Sequence, residues 1–317
     1  MKAAIVKEMG ATLVFGQCDS PVATEGHVLV NVSTAALSRL SKFRSMGMHY
    51  SSEVNFPLIA GADGVGTLED GTRVYFAQPT APYGSLAEQT LVKETMIVPL
   101  PDGLDDITAA AIANPATSSW AALVYRAHFK PGQTVLINGA TGASGSLAVQ
   151  IAKYLGAMKI IVTGRNESKL RLLGADEVVA FDMSVKDGSN EFENALMPAV
   201  AGGVDVVLDY LWGDSAVAIM SAIAKTGTKQ TTRFVSIGTS SGQETINVPS
   251  SILRASSIEL LGSGGRSVSL ADMMSSAKSV FEMAAEGKIN IAVAEFALQD
   301  IEAAWHAPLT PRPVVRV

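Results

Sequence analysis

The sequence predicts an α/β protein in which a mostly β region precedes a doubly wound parallel sheet. Up to about residue 100, short segments alternate apolar and polar residues between Gly, Pro and Asp turns, a pattern typical of β-strands. From about residue 105, apolar residues recur at helical spacing, and continuous apolar strands then alternate with helices. That alternation is typical of a parallel sheet with crossover helices.

The first region contains four strand-like segments followed by a long helix. The strand-like segments are AAIVKEM, HVLVNVS, GVGTLEDGTRVYF and SLAEQTLVKETMIVPL. The helical pattern covers DDITAAAIANPATSSWAALVYRAH, and Pro131-Gly132 closes it.

The second region repeats an order of strand, turn and helix. Its apolar strands are TVLIN, KIIVTG, EVVAF, VDVVLDY, RFVSIG and IELLGSG. Helices are predicted at 145–156, 166–173, 189–201, 213–225, 250–255 and 270–287. The tail, with INIAVAEFAL and PVVRV, fits as edge strands of the first domain. We therefore predict a β domain of residues 1–112, completed by 288–317, and a parallel-sheet domain of residues 113–287.

Charge and hydropathy exclude several classes of partner. The 317 residues carry a formal net charge of −6, which argues against a protein that follows a phosphate backbone. The first ten residues, MKAAIVKEMG, lack the unbroken apolar stretch of a signal peptide, and no later run reaches about 18 apolar residues. We expect no nucleic-acid partner, no membrane partner and a cytoplasmic location.

The metal ligands that proteins use most are scarce in this chain. Cys18 is its single cysteine, and the histidines, His27, His49, His128 and His306, are scattered without ligand spacing. The sequence therefore predicts neither an intrachain disulfide nor a zinc site.

A glycine-rich turn connects the first apolar strand of the second region to its helix. In TVLINGATGASG the glycines are Gly139, Gly142 and Gly145, a G-x-x-G-x-x-G spacing that departs from the commoner G-x-G-x-x-G. Such a turn directs free N–H groups and the positive end of a helix dipole at an anion. Gly142 and Ala143 lack the bulk that would hold a pyrophosphate away. The alternative is a tight strand-to-helix turn in which glycine serves packing alone.

The end of the next strand favours NADPH over NADH. A dinucleotide fold usually carries an acidic residue about 20 residues after the glycines to bind the ribose hydroxyls. Here TGRNESK places Gly164, Arg165, Asn166 and Lys169 at that position, and two cations suit a 2′-phosphate. The alternative, cations that only solvate a helix start, is disfavoured because cations destabilise that helix end unless an anion is present.

Three groups of segments, in chain order, resemble the medium-chain dehydrogenase/reductase superfamily and, within it, the zinc-independent, zeta-crystallin-like quinone oxidoreductases. The first group is FPLIAGADGVGTL with GTRVYFAQPTAPYGSLAEQTLV. The second is LPDGLDDITAAAIANPATSSWAALVYRAHFKPGQTVLINGATGASG, and the third is VDVVLDYLWG, RFVSIGTSSG and IELLGSG. The resemblance implies a GroES-like β domain, a Rossmann domain and a homodimer.

The resemblance also implies chemistry without a metal. Zinc-dependent relatives have an early Cys ligand and a Gly-His-Glu where this chain has Gly61, Ala62 and Asp63. Without a Lewis acid to polarise an alkoxide, the feasible reaction is hydride transfer to an electrophilic acceptor, a quinone or an enone.

Segment matching to the family implies cofactor-binding positions. Ser118 lies where the family has a Thr near the nicotinamide, and Phe181 where it has a Tyr near the adenine. The pyrophosphate turn comprises Thr141, Gly142, Ala143 and Ser144, and the nicotinamide side comprises Ile237, Gly238, Thr239, Leu261, Gly262 and Ser263.

The proton donor is less well determined by the resemblance. Where the family often has an Asn and a Tyr, this chain has Ser38 and Phe43. The nearest remaining hydroxyl is that of Tyr50, with Ser38 second; a phenol with a pKa near 10 could donate to a developing enolate. The alternative role for Tyr50 is an aromatic wall for a flat substrate.

These observations predict a zinc-independent, NADPH-dependent quinone or enone reductase. One alternative is an enoyl reductase acting on carrier-bound or coenzyme A thioesters, an acidic partner that would favour a basic rim. The other is a protein that binds NADPH without catalysis, because a fold does not fix a function.

Overall fold

The structure, a computed structural model, describes residues 1–45, 47 and 55–317, which form two compact units. One unit is Met1–Asn114 with Ala277–Val317, and the other is Pro115–Ser276. The sequence predicts the second boundary at 287/288, later than the 276/277 of the structure. The difference arises because the end of the preceding helix packs within the first unit, where the Phe281 ring lies 5.3 Å from that of Tyr75.

The first unit is built from short, mostly antiparallel strands. They are β1 (Lys2–Val6), β2 (Val14–Gln17), β3 (His27–Ala36), β4 (Leu58–Ile59), β5 (Asp63–Thr67), β6 (Arg73–Ala77), β7 (Gln89–Lys93), β8 (Ile97–Pro99), β15 (Val293–Ala297) and β16 (Arg312–Arg316). One sheet has the order β2-β1-β4 and the other β15-β16-β3-β5-β6-β8, with β7 also paired to β3. The tail thus enters the larger sheet, since β16 runs antiparallel to β3.

Apolar side chains between these elements form the core of the first unit. One cluster includes Leu37, Leu86 and Trp305, the last from helix α9 (Ile301–His306), and a second includes Val74 and Phe76 of β6. Burying residues of this size removes about 25 cal/mol of unfavourable hydration per Å² of apolar surface. The other helices that include residues of this unit are α1 (Arg39–Ser45), α2 (Asp106–Ala121) and α8 (Leu270–Ala285).

The second unit is a six-stranded parallel sheet with helices in its connections. The strands are β9 (Thr134–Asn138), β10 (Lys159–Gly164), β11 (Glu177–Ala180), β12 (Val206–Asp209), β13 (Thr231–Ser236) and β14 (Ser257–Gly262). The helices are α3 (Ala143–Tyr154), α4 (Glu167–Arg171), α5 (Gly188–Val200), α6 (Asp214–Thr226) and α7 (Ser250–Ala255). The alternation of strands and helices confirms the predicted fold class, a doubly wound parallel sheet.

The strand order of this sheet is β11-β10-β9-β12-β13-β14, so the direction of winding reverses between β9 and β12. Every residue of β9 and of β12 is buried, as expected for central parallel strands covered on both faces. In sheets of this kind, ligands bind at the carboxyl ends of the strands where the order reverses. Asn138 and Asp209 end these two strands.

The carboxyl group of Asp209 is a buried polar exception in this sheet. It has no solvent exposure, and desolvation raises its pKa to about 6. Three donors oppose that shift because they favour the charged form: the backbone N–H groups of Leu211 and Trp212 and the side-chain amide of Asn138.

The raised pKa of Asp209 predicts a pH-dependent cost of folding. Since the folded-state pKa of about 6 lies above the ordinary 3.8, the cost is small below about pH 4 and fully present above about pH 7. Relative to Asp209→Asn, the wild type should therefore lose about 2 kcal/mol of unfolding free energy between pH 4.5 and 7.5. Urea denaturation of both proteins across that range measures the difference. Parallel stability curves would contradict the assignment.

Candidate functional site

Two glycines of the turn after β9 are required by the packing of the fold. Gly139 has φ +86°, and a Cβ there would lie 2.9 Å from the side chain of Leu211. A Cβ on Gly145 would lie 2.5 Å from the carbonyl oxygen of Gly139, too close for any other residue. The N–H groups of Gly139 and Ala140 donate to the carbonyl of Thr163 at 3.0 and 3.1 Å, which anchors the turn to β10. These glycines therefore bring α3 onto the sheet edge.

Gly142 is different, because the protein itself leaves space for a side chain there. It is exposed at the N-cap of α3 with φ −77°, and the nearest atom to an added Cβ would be 3.6 Å away. No side chain caps this helix start among the described residues. The first N–H groups of a helix have no partner within the helix, so those of Ala143 and Ser144 can face an anion. Thr141, Ala143 and Ser144 are half-buried around this position.

The predicted phosphate-binding residues follow the end of β10. Arg165 and Lys169 are exposed, while Gly164 is buried at the strand end. The side-chain oxygen of Asn166 accepts from the N–H of Lys169 at 2.9 Å and so caps α4. Asn166 thus has a structural role in addition to the predicted one.

A cavity of about 400 Å³ adjoins this strand end, between the ends of β10 and β11 and helix α5. Arg165 and Phe181, which sequence analysis assigned to the 2′-phosphate and the adenine, line it together. The Phe181 ring lies 4.4 Å from that of Phe192, giving one apolar wall. The cavity lining also includes two carboxylates that sequence analysis missed, Asp182 and Glu191.

The remaining predicted cofactor residues lie at the carboxyl ends of β13 and β14. The N–H groups of Ile237 and Gly238 donate to the Asp209 carbonyl at 2.8 and 3.3 Å, and Thr239 follows exposed. Leu261 and Gly262 close β14, and the N–H of Ser263 donates to the carbonyl of Ser236. All of these positions therefore share one edge of the parallel sheet with the glycine turn.

Helix α2 carries Ser118, whose hydroxyl donates to the Pro115 carbonyl at 3.1 Å and is half-buried. The neighbouring Ser119, which sequence analysis did not single out, is fully buried. Its hydroxyl lies 2.7 Å from that of Tyr210 and 3.2 Å from the carbonyl of Ser144. This contact joins α2, the end of β12 and the first turn of α3.

The two predicted catalytic residues have different outcomes. Tyr50 lies outside the described residues. Ser38 is buried, and its hydroxyl accepts from the N–H of Ser41 at 2.9 Å while the Ser41 hydroxyl accepts from the N–H of Ser38 at 2.7 Å. This reciprocal pair caps the start of α1. The structure gives Ser38 a structural role, and its part in proton transfer stays a prediction.

Asp63 lies in the segment that would carry zinc ligands in zinc-dependent relatives. Asp63 is buried on β5 and accepts from the Tyr75 hydroxyl at 3.3 Å. Burial first, and the Asp63 carboxylate second, raise the pKa of Tyr75.

Within residues 1–45, 47 and 55–317, no three His, Cys, Asp or Glu side chains are grouped as metal ligands would be. In the same part of the chain, no helix has the length and apolar character needed to cross a membrane.

Comparison with known proteins is consistent with this architecture. The family described as zinc-binding dehydrogenase matches residues 143–285, a segment without cysteine or histidine. A probable NADPH-dependent quinone reductase of Emericella nidulans is 27% identical over 315 residues, covering 87% of each chain. A 2-methylene-furan-3-one reductase of Solanum lycopersicum is 28% identical over 65% of this chain and 58% of that enzyme. The quinone oxidoreductase of Thermus thermophilus, whose complex with NADPH is also solved, is 25% identical over both whole chains, with a TM-score of 0.73.

The matched family model, the curated relatives and the shared fold together support one assignment for this chain, the medium-chain dehydrogenase/reductase superfamily and, within it, the quinone oxidoreductase-like family.

Proposed function

We propose that this protein is a zinc-independent oxidoreductase that transfers a hydride from NADPH to a quinone or an α,β-unsaturated carbonyl. The observation that carries the proposal is the open space at Gly142, at a helix start without a side-chain cap. The fold needs glycine at 139 and 145 but not at 142, so the missing side chain there favours a ligand that approaches the backbone. The relatives reduce quinones and an enone by name, which supports the same chemistry.

The residues at the sheet edge suit the parts of a dinucleotide. The N–H groups of Ala143 and Ser144 would hold the pyrophosphate, Arg165 and Lys169 the 2′-phosphate, and Phe181 one side of the adenine. Ser118 and the strand ends 237–239 and 261–263 would line the nicotinamide. When bound, NADPH supplies the hydride; the protein supplies its orientation and excludes water.

The acceptor must already be electrophilic, because the chain lacks the Cys and His ligands for a Lewis-acidic zinc at the family's position. A quinone or an enone meets that requirement through its conjugated carbonyl. After hydride addition, a reduced quinone oxygen can take its proton from water. An enolate needs a better donor, for which we propose Tyr50, with Ser38 second.

We further propose a cytoplasmic homodimer. Among the described residues, strand β14 ends the sheet of the second unit, and Leu260 on that strand is 48% exposed, at an edge that a second copy could cover. The lone cysteine, Cys18, fits a reducing compartment. Sedimentation at the mass of one 33.0 kDa chain would refute the dimer.

Two alternative functions differ from the proposed one in their chemistry. A reductase of enoyl thioesters would bind an acidic carrier, which the net charge of −6 disfavours. A protein that binds NADPH without catalysis would show affinity without turnover.

NADPH oxidation assays separate these functions. We expect turnover with 9,10-phenanthrenequinone, 1,4-benzoquinone and 2-alkenals, at rates that EDTA does not change, because no metal takes part. Turnover only with crotonyl-coenzyme A would favour the thioester reductase. NADPH binding without oxidation of any acceptor would refute catalysis, and stoichiometric zinc whose removal abolishes the rate would refute metal independence.

Replacing Gly142 by Val tests the glycine turn. The protein has room for the added Cβ, so the fold should be kept at the modest cost of a poorer N-cap, but the side chain would occupy the space of the pyrophosphate, and NADPH affinity should fall by about 10²-fold or more. Gly202→Val is the matched control, because Gly202 is exposed and nothing lies within 4 Å of its added Cβ. Fluorescence titration measures both; equal affinities for NADPH would make the turn purely structural.

Replacing Arg165 by Ala tests the preference for NADPH. A charge-assisted hydrogen bond contributes about 1.5–3 kcal/mol, so NADPH binding should weaken about tenfold or more. NADH binding should barely change, since NADH has no 2′-phosphate to lose. Arg171→Ala is the control, because that guanidinium pairs with Glu167 on the same helix. A wild type that binds NADH as tightly as NADPH would contradict this assignment.

A further inference from the structure

Asp209 connects the end of β12 to the neighbouring segments of the sheet edge through its side chain. Its Oδ1 accepts from the amide of Asn138 at 2.9 Å, from the N–H of Leu211 at 3.0 Å and from the N–H of Trp212 at 3.1 Å. Oδ2 lies 3.1 Å from the same N–H of Trp212. The carboxylate therefore joins the strand that leads into the glycine turn to the loop 210–213.

The backbone of Asp209 extends the connection to a third segment. Its carbonyl accepts from the N–H groups of Ile237 and Gly238. Gly238 in turn lies so close to Tyr210 that an added Cβ would be 3.0 Å from the Tyr210 carbonyl oxygen. The side chain of Asp209 thus joins the strand end before the glycine turn to the loop 210–213, whereas its contact with the segment 237–239 is made by the main-chain carbonyl, which any residue would supply.

The loop 210–213, which the carboxylate holds, packs directly against the glycine turn. The side chain of Leu211 packs where a Cβ on Gly139 would be. Trp212 has φ +60°, a left-handed conformation that costs free energy for a residue other than glycine. Its N–H points at the carboxylate, which stabilises that conformation. Without the carboxylate, the loop would lose the contact that fixes Leu211 against the turn.

Joining two strands through a buried carboxylate costs desolvation free energy. Desolvation raises its pKa to about 6, so the folded chain keeps a charge there at neutral pH against an opposing cost. An apolar residue of similar size would avoid that cost but could not accept three N–H bonds. The retained charge therefore points to a requirement for the geometry that those bonds impose.

We propose that Asp209 is a positioning residue for the dinucleotide: by its side-chain hydrogen bonds it sets the end of β9, which leads into the glycine turn, and the loop 210–213 in the arrangement that binds NADPH. This inference rests on the proposed function, since it takes NADPH as the ligand. Asp209 acts through these segments and does not itself contact the cofactor.

The test uses two substitutions and one matched control. Asp209→Asn keeps Oδ1 but replaces Oδ2 by an amide NH2 that faces the N–H of Trp212, and NADPH binding should weaken about fivefold. Asp209→Leu removes every acceptor, and binding should weaken about thirtyfold. Asp205→Asn is the control: Asp205 accepts from the N–H of Thr134 and so also joins β12 to β9, but at the amino end of the sheet. It should leave NADPH binding unchanged.

Three readouts separate positioning from a purely structural role. The dissociation constant and KM for NADPH should rise, while kcat at saturating NADPH and the KM for 9,10-phenanthrenequinone stay within about twofold of wild type. The emission of Trp212, recorded in a Trp120→Phe, Trp305→Phe background, should shift in Asp209→Asn. Thermal denaturation shows whether each variant is folded at the assay temperature.

The proposal and the proposed function fail in different ways. A wild type that binds no NADPH refutes both. A wild type that binds NADPH, together with an Asp209→Asn variant of unchanged affinity and unchanged Trp212 emission, overturns the positioning role alone, even if Asp209→Leu does not fold. An equal loss of affinity in the Asp205→Asn control would also overturn it, because general destabilisation would then explain the effect.

Discussion

Helix α3 begins in contact with the carbonyl of Gly139 because residue 145 carries no side chain. This backbone-to-backbone contact fixes the distance between the helix and the end of β9, and with it the position of the free N–H groups at the helix start. Parallel strands bring all their carboxyl ends to one edge. The contact therefore determines where the sheet edge places its N–H donors for a ligand. The other segments of the edge lie around these donors.

A buried carboxylate, that of Asp209, is bonded to the strand end that leads into a turn suited to a negatively charged ligand. The two are compatible because the carboxylate accepts from its own set of donors, Asn138, Leu211 and Trp212. The N–H groups of Ala143 and Ser144 lie at the start of α3 and are separate from that set. The N–H donors at this sheet edge thus form two groups. One group bonds to the Asp209 carboxylate and makes the edge rigid, and the other remains available for a bound anion.

The parallel sheet was predictable because strands covered on both faces are continuous apolar runs, and helices of small residues follow them. The same sequence could not show that Asp209 and Asn138, 71 residues apart, meet at the strand ends. In VDVVLDY the aspartate is read only as the end of a strand. Nor could it show that the last turns of α8 pack on Tyr75. These features depend on contacts between distant elements, which local patterns do not contain.

The cation at the end of β10 also has acidic neighbours, which changes how selectivity for a phosphate arises. The pKa of Asp182 is lowered, first by hydrogen bonds from Ser184 and to a lesser degree by the charge of Arg165. Because Glu191 lines the same cavity, the net charge around Arg165 is not strongly positive. An exposed ammonium such as that of Lys169 adds little through solvent. If Arg165 binds the 2′-phosphate as proposed, discrimination between NADPH and NADH would therefore depend on direct hydrogen bonds to that phosphate rather than on a general positive field.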